Sequence, residues 1–262
     1  MSGSEVRIAR PAERQASPLF LKFLSKWEEK MAYISCENLV VGYDGKAVSP
    51  PMSFTVEKGS YVCILGENGS GKTTLMRTLV GLQKKISGEI LFGDGLCRNE
   101  TGYLPQKLSV SADFPASVRE IVLSGTLGQF KSRPFYGKAQ KMIADEQIEK
   151  VGITSLSRRR FTELSGGQQQ RTLLARALCA AKKLIFLDEP VSALDPAAAK
   201  EFYAILEKLN NDGLSVVMVS HDLDCIDYAS HILSFRGGKV QFETRVDFCK
   251  NSSSKKADIK RG

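Results

Sequence analysis

The stretch YVCILGENGSGKTTLMRTLV, residues 61–80, decides how this chain folds. Tyr61 to Leu65 form an apolar run that reads as a buried parallel strand, and a glycine-rich turn follows at once. Beyond the turn, Leu75, Leu79 and Leu82 keep helical spacing, with Gly81 as the expected end cap. Gly66, Gly69 and Gly71 carry no Cβ and can take positive φ. Successive N–H groups from Glu67 through Asn68 and Ser70 to Thr73 can therefore converge on one anion. The helix opening near Lys72 adds its positive end. In such a cradle Lys72 reaches the β- and γ-phosphates as a point charge, and the Thr73 hydroxyl is a ligand for Mg²⁺. The spacing G-x-x-x-x-G-K-T also occurs by chance in unrelated chains, where it makes only a structural turn. Here a strand precedes it and a helix follows.

At 262 residues the chain can bury a core as one large domain or as a domain with a subdomain. No run approaches the ~20 apolar residues of a membrane span, so a soluble chain is expected, and work at a membrane would need other chains to cross it. The net charge of +8 sits at the ends. Residues 1–30 hold six Lys/Arg against four Asp/Glu and residues 236–262 hold eight against three, which leaves the middle nearly neutral. No nucleic-acid face is expected on the core, although basic tails can meet RNA or anionic lipid. Cys36, Cys63, Cys97, Cys179, Cys225 and Cys249 are scattered without a C-x-x-C pair, the usage of a reducing cytosol, and each reads as a small core residue.

Residues 1–32 turn amphipathic near their end, with Phe20, Phe23, Leu24, Trp27 and Met31 on one helical face. That face suits a membrane surface or a partner; the plainer reading is an extension ahead of a domain starting near residue 33. Interrupting lysines argue against a secretory signal. From Tyr33 to Val56 the alternation of apolar and polar residues predicts an antiparallel hairpin turning at Asp44-Gly45. Tyr43, near the cradle in sequence, can stack on a purine base or simply sit on the solvent side of a strand. Two more short strands are expected within 86–105, leading to Gln106, whose amide can bind Mg²⁺ and orient water. Residues 107–162 change to broken helical patterns and read as a helical subdomain inserted into the core. Arg158 to Arg160 read as a solvated face.

A second dense stretch, FTELSGGQQQRTLLARALCAAKKLIFLDEP, runs from 161 to 190. Ser165, Gly166 and Gly167 put backbone N–H groups at the start of a helix, a second anion site that one triphosphate does not need from the same chain. Leu184 to Leu187 make another buried parallel strand, which delivers Asp188 and Glu189 at its C-terminal edge. Asp188 suits the Mg²⁺ shell, and Glu189 suits a general base that polarises the attacking water. Asp195 is the expected cap of the next helix. Leu214 to Val219 form a further strand ending at His221, which is placed to contact a γ-phosphate, whereas His231 reads as structural. HILSF and KVQFE form a hairpin around Gly237-Gly238; a basic polar tail is expected over 246–262, of which NSSSKKADIKRG, 251–262, reads as disordered.

Together these pieces resemble the ATP-binding subunits of ABC transporters over roughly residues 33–245. GENGSGKT at 66–73 is similar to the phosphate loop, which carries on into Thr74. YLPQ ending at Gln106 is similar to the Q-loop, LSGGQQQR at 164–171 to the signature, LIFLDEP at 184–190 to Walker B and its glutamate, SALD at 192–195 to the D-loop, and His221 to the switch histidine. Tyr43 resembles the aromatic that stacks on adenine. The resemblance implies a P-loop NTPase core with an antiparallel β-subdomain and an inserted helical subdomain. It implies ATP and Mg²⁺ as cofactors. It also implies a head-to-tail dimer in which Ser165, Gly166, Gly167, Gln168 and Asp195 of one copy cover the ATP of the other. DFPASVREIVLSG at 113–125 is similar to the subunits of zinc and manganese importers. This implies a peripheral place on the cytoplasmic face of the membrane, a separate polytopic permease docked between Gln106 and Gly128 against Arg119 and Glu120, and an extracytoplasmic substrate-binding protein. Two alternatives stay open at this point: a soluble ATP-driven assembly factor, and an importer of siderophore or cobalamin type.

Overall fold

The computed structural model describes residues 32–106, 115–129 and 136–251. At the middle of its larger sheet is β5 (Tyr61–Gly66), the strand that leads into the glycine loop. β5 pairs in parallel with β9 (Ser215–Val219) on one side and β10 (His231–Arg236) on the other. Beyond β9 come β8 (Leu184–Asp188) and β7 (Thr101–Leu104), also parallel, while β11 (Lys239–Thr244) closes the far edge antiparallel to β10. The strand order is β11-β10-β5-β9-β8-β7.

The apolar runs are continuous because both faces of this sheet are covered. Successive side chains point to opposite faces, so each strand divides its residues between two cores. Tyr61, Cys63, Leu65, Ile185, Leu187, Val216 and Met218 face a core shared with the helices, whereas Val62, Ile64, Leu184, Phe186, Val217 and Val219 face a core shared with a second sheet. Phe186 is fully buried there; truncation of such a side chain to alanine costs about 3–5 kcal/mol.

The second sheet is antiparallel, with β1 (Ile34–Val40) between β4 (Met52–Val56) and β6 (Ser87–Phe92). The expected pairing of the two longer strands is present, but the Asp44-Gly45 turn belongs to a small inset hairpin, β2 (Gly42–Tyr43) with β3 (Lys46–Ala47). Asp44 and Gly45 both have positive φ, 49° and 77°, which matches the right-handed twist of a two-residue hairpin turn. The inset hairpin carries Tyr43 toward the glycine loop.

Helix α1 (Lys72–Leu79) packs between the two sheets and ends where expected. Gly81, at φ 84°, lets its own N–H reach the Thr78 carbonyl and the Leu82 N–H reach Arg77, which satisfies two end carbonyls. Leu82 lies past this cap and is 68 % exposed, so the apolar spacing outruns the helix by one turn.

On the other face, α2 (Val118–Ser124), α3 (Lys138–Lys150) and α4 (Gly166–Leu178) pack together and against the sheet. Ser117 caps α2 in a reciprocal pair with Glu120. The Val118 N–H to Arg159 carbonyl bond ties the start of α2 to the chain that precedes α4. Arg158 to Arg160 are exposed as expected. Helix α5 (Pro196–Asn211) starts at the Asp195 cap, whose Oδ1 accepts from the Ala198 N–H at 2.9 Å, and the short α6 (Cys225–Tyr228) follows β9.

Cys36, Cys63, Cys179 and Cys225 are buried as expected, but Cys97 and Cys249 are exposed. The tail boundary also moves. Residues 245–251 are helical and Phe248 is buried, with the Arg236 guanidinium over its ring at 4.9 Å. The amphipathic face within 1–31, residues 107–114, 130–135 and the tail from 252 lie outside the described residues. Among the described residues no helix is long and apolar enough to cross a membrane.

Candidate functional site

The glycine loop closes on its own lysine. Lys72 Nζ donates to the carbonyls of Gly66 at 2.8 Å and Glu67 at 2.7 Å, and the residue is only 4 % exposed. An ammonium group has three N–H donors, so one remains for an anion. Burial pulls the Lys72 pKa below its ordinary value, opposed by the charges of Glu189 and Asp188. The tightness of the loop follows from its glycines. A Cβ on Gly66 would come within 2.6 Å of Phe235 Cβ, and Gly71, at φ 96°, caps α1 in a conformation L side chains rarely adopt. Ser70 Oγ is buried with no hydrogen-bond partner, a polar atom left for a ligand to satisfy.

Tyr43, Val48, Asn68, Gly69, Gly71, Lys72, Thr73, Thr74, Gln106 and Glu189 line one cavity of about 360 Å³. Tyr43 is held there by the Thr74 hydroxyl, which donates to its phenol oxygen at 3.0 Å, and its ring is partly exposed. Val48 went unnoticed in the sequence; its only signal is that a two-residue turn after Tyr43 must bring the chain back alongside it.

Asp188 ends β8 and is buried, with Oδ1 accepting from the Thr73 hydroxyl at 3.2 Å. Burial raises its pKa above the ordinary carboxylate value, against the lowering effect of the Thr73 bond. Two oxygens from a hydroxyl and a carboxylate, beside the buried lysine of a phosphate loop, are the donor set a hard divalent cation takes, so the residues fit Mg²⁺. Nearby, burial and the Asp188 charge push the Tyr103 phenol up to about 12.

Glu189 is gripped at both oxygens. Gln106 Nε2 donates to Oε2 at 2.6 Å, and His221 Nε2 lies 2.7 Å from Oε1. Because a carboxylate only accepts, that imidazole nitrogen carries a proton. The Glu189 side chain is 11 % exposed and that of His221 is 37 % exposed. The backbone of Glu189 sits at φ 51°, a conformation that costs on the order of 1–3 kcal/mol outside glycine. It is held there by its N–H bond to the Val219 carbonyl and by the Ser192 hydroxyl, which donates to the Glu189 carbonyl at 3.0 Å. His221, expected within reach of a γ-phosphate, touches Glu189 of that cavity's wall and is not itself among the lining residues.

The stretch expected as a second anion site is built as a helix cap. Ser165 Oγ accepts from the Gln168 N–H, and Gln168 Oε1 accepts from the Ser165 N–H. Ser165, Gly167 and Gln168 line a different cavity, of about 300 Å³, with Arg171 and Glu201, and Gly166 beside them is exposed. Asp195 is exposed at the head of α5. Within one chain the two cradles therefore do not share a cavity.

The model of the ABC transporter family matches residues 50–192. The manganese transport system ATP-binding protein MntB of Bacillus subtilis (strain 168) is 37 % identical over 213 residues, covering 80 % of this chain and 85 % of that protein. The zinc import ATP-binding protein ZnuC of Wolbachia sp. subsp. Brugia malayi (strain TRS) is 39 % identical over 214 residues, covering 80 % and 82 %. Among solved structures, a bacterial ABC transporter cassette determined as a dimer superposes with a TM-score of 0.68 at 25 % identity, covering 81 % of this chain and 98 % of that one. With the glycine loop, the carboxylate pair and these relatives in agreement, the chain belongs to the ABC transporter family, as an ATP-binding and ATP-hydrolysing subunit.

Proposed function

We propose that this chain hydrolyses ATP in a head-to-tail dimer with a second copy of itself, and that hydrolysis powers uptake of zinc or manganese through a separate polytopic permease. Its place is then peripheral, on the cytoplasmic face of the membrane, with an extracytoplasmic substrate-binding protein in the same system. The observation that carries the chemistry is Glu189, oriented by Gln106 and His221 at the wall of the cavity that also holds Lys72. The cargo rests on the metals that the relatives are named for.

In this reading Tyr43 stacks on the adenine, and Gly66 to Thr74 wrap the phosphates. The third N–H of Lys72 meets the β- and γ-phosphate oxygens. Thr73, Asp188 and Gln106 hold Mg²⁺, which neutralises charge on those oxygens. Each Glu189 oxygen uses one lone pair on Gln106 or His221 and keeps another. A water donates to that lone pair, its oxygen attacks the γ-phosphorus, its proton passes to Glu189, and the bond to the β–γ bridging oxygen breaks with its electrons leaving on ADP. Ser165, Gly166, Gly167, Gln168 and Asp195 of the second copy cover the same ATP; the separation of the two cavities within one chain supports this.

Deleting the gene and measuring cell-associated zinc, manganese and iron tests the cargo. The expected result is a deficit of zinc or manganese under limitation that added metal repairs. Unchanged metal content with no growth defect overturns it. Purification of the tagged chain from detergent-solubilised membranes should bring a polytopic protein with it.

A further inference from the structure

Glu189 borders two cavities. One is the phosphate cavity, and the other is a larger cleft of about 840 Å³ that also takes in Tyr203, Ser220, His221, Asp222 and Tyr228. Nothing in the proposed chemistry uses Tyr203, yet it is 2 % exposed and its hydroxyl is committed. It donates to Asp222 Oδ2 at 3.0 Å, and the Asp224 N–H donates to the other oxygen, Oδ1, at 2.9 Å. The Asp222 N–H donates to Ser220 Oγ at 3.0 Å, Ser220 Oγ donates back to the Asp222 carbonyl at 3.2 Å, and the Ser220 N–H is bound to the Ile64 carbonyl of β5. His221 thus sits in a loop fastened on both sides of it, and the outer fastening ends on a tyrosine of α5. The Tyr203 ring is itself fixed by a stack on Tyr228, with centroids 5.1 Å apart and planes 15° from parallel.

We infer that Tyr203 is a positioning residue for His221: through Asp222 it holds the 220–224 loop in the setting that puts His221 Nε2 on Glu189. Burial drives the Tyr203 phenol well above its ordinary pKa, so it stays a donor. The carboxylate of Asp222 can only accept when ionised, so the direction of the bond is fixed. The consequence is that α5, which Asp195 caps, and the loop that orients the general base are one mechanical unit. The inference rests on the proposed roles of Glu189 and His221.

The test is a set of steady-state ATPase measurements on the full-length chain with MgATP. Tyr203→Phe removes one oxygen and keeps the ring stack. It should lower kcat by about three- to tenfold, the scale of a typical net intramolecular hydrogen bond, with KM unchanged. Asp222→Ala removes the same bond from the loop side and should lower kcat at least as much, which keeps the test alive if the tyrosine variant folds poorly. Added to His221→Ala, neither substitution should cause further loss, because the histidine they position is gone. Loss of folding alone would multiply with the His221 effect and overturn the inference. So would a Tyr203→Phe enzyme with the parent kcat beside a slow His221→Ala enzyme. If His221→Ala itself keeps the parent kcat, the role of the histidine falls, and the inference falls with it.

Discussion

Thr73 on α1 and Asp188 at the end of β8, 115 positions apart in the chain, meet hydroxyl to carboxylate at 3.2 Å. The carboxylate is buried, and its pKa is raised by that burial. A group whose folded-state pKa lies above its unfolded value adds stability at low pH and loses that contribution as pH rises through the folded value. At neutral pH the nucleotide-free protein therefore carries a desolvated charge at a cost. Asp188→Asn should raise its melting temperature by roughly 2–4 °C, the shift that about 1 kcal/mol makes in a domain of this size. The gain should shrink as pH falls toward the ordinary carboxylate range, where the native Asp188 is itself neutral. The same variant should lose the stabilisation by MgATP. Differential scanning fluorimetry with and without MgATP across pH reads both effects; a variant less stable than the parent at neutral pH contradicts the account.

Lys72→Ala should act in two ways. It leaves the carbonyls of Gly66 and Glu67 without their donor, and a buried acceptor so abandoned costs about 1–3 kcal/mol, so the nucleotide-free melting temperature should fall. It also removes the positive charge that, in the proposed function, meets the phosphates. Parent protein at 100 times Kd gains about 2.7 kcal/mol from ligand by mass action, and the variant should gain almost none at the same ATP concentration. Equal nucleotide-dependent shifts in the two proteins would mean that the cradle is elsewhere.

The parallel sheet was legible because residues 61–65, 184–187 and 216–219 are apolar without interruption, and only strands covered on both faces need that. The phosphate loop was legible because so little but glycine fits where Gly66 meets Phe235. Placement of Glu189 and His221 at one sheet edge followed from the strands that precede them, but their contact did not. It depends on the positive φ of Glu189, which is set by Val219 and Ser192 across the sheet and the turn. Tyr203 was hidden for a related reason. An aromatic residue on the apolar face of a helix reads as core, and only the tertiary structure shows that its hydroxyl ends on Asp222. Arg119 and Glu120 were expected at a permease contact from the resemblance of 113–125; their bonds within the chain were not legible, for Glu120 completes the cap of α2 and Arg119 forks onto Asp145 of α3.

That fork gives a prediction of its own. Arg119 Nε and Nη2 bond the two Asp145 oxygens at 2.6 and 2.7 Å, which holds Asp145 below the usual carboxylate pKa. Both side chains are well exposed, so the pair is worth only about 0.2–1 kcal/mol. Arg119→Glu should destabilise the protein by about 1 kcal/mol through repulsion of Asp145, and the exchange Arg119→Glu with Asp145→Arg should restore most of it. Thermal melts of the three variants decide this. A double variant no more stable than Arg119→Glu alone would mean that Arg119 does something other than join α2 to α3.

Glu189→Gln keeps the size of the side chain but cannot take the proton of the attacking water. The rate of hydrolysis should fall by on the order of 10²–10⁴, while ATP still binds, because Lys72, Thr73 and Asp188 are untouched. The substitution also weakens the grip at the site. The amide can keep one acceptor oxygen for either Gln106 or His221, so one of the two bonds to the side chain is lost, but the backbone bonds to Val219 and Ser192 remain and hold position 189 at the cavity wall. Bound ATP that is not hydrolysed should then hold two copies together across the Ser165 to Gln168 cap. Size-exclusion chromatography with light scattering should show a monomer without nucleotide and a dimer with ATP, with Lys72→Ala in the same background returning the monomer. A Glu189→Gln protein that stays monomeric at saturating ATP would remove the head-to-tail arrangement, and one that hydrolyses ATP at the parent rate would remove Glu189 from the role of base.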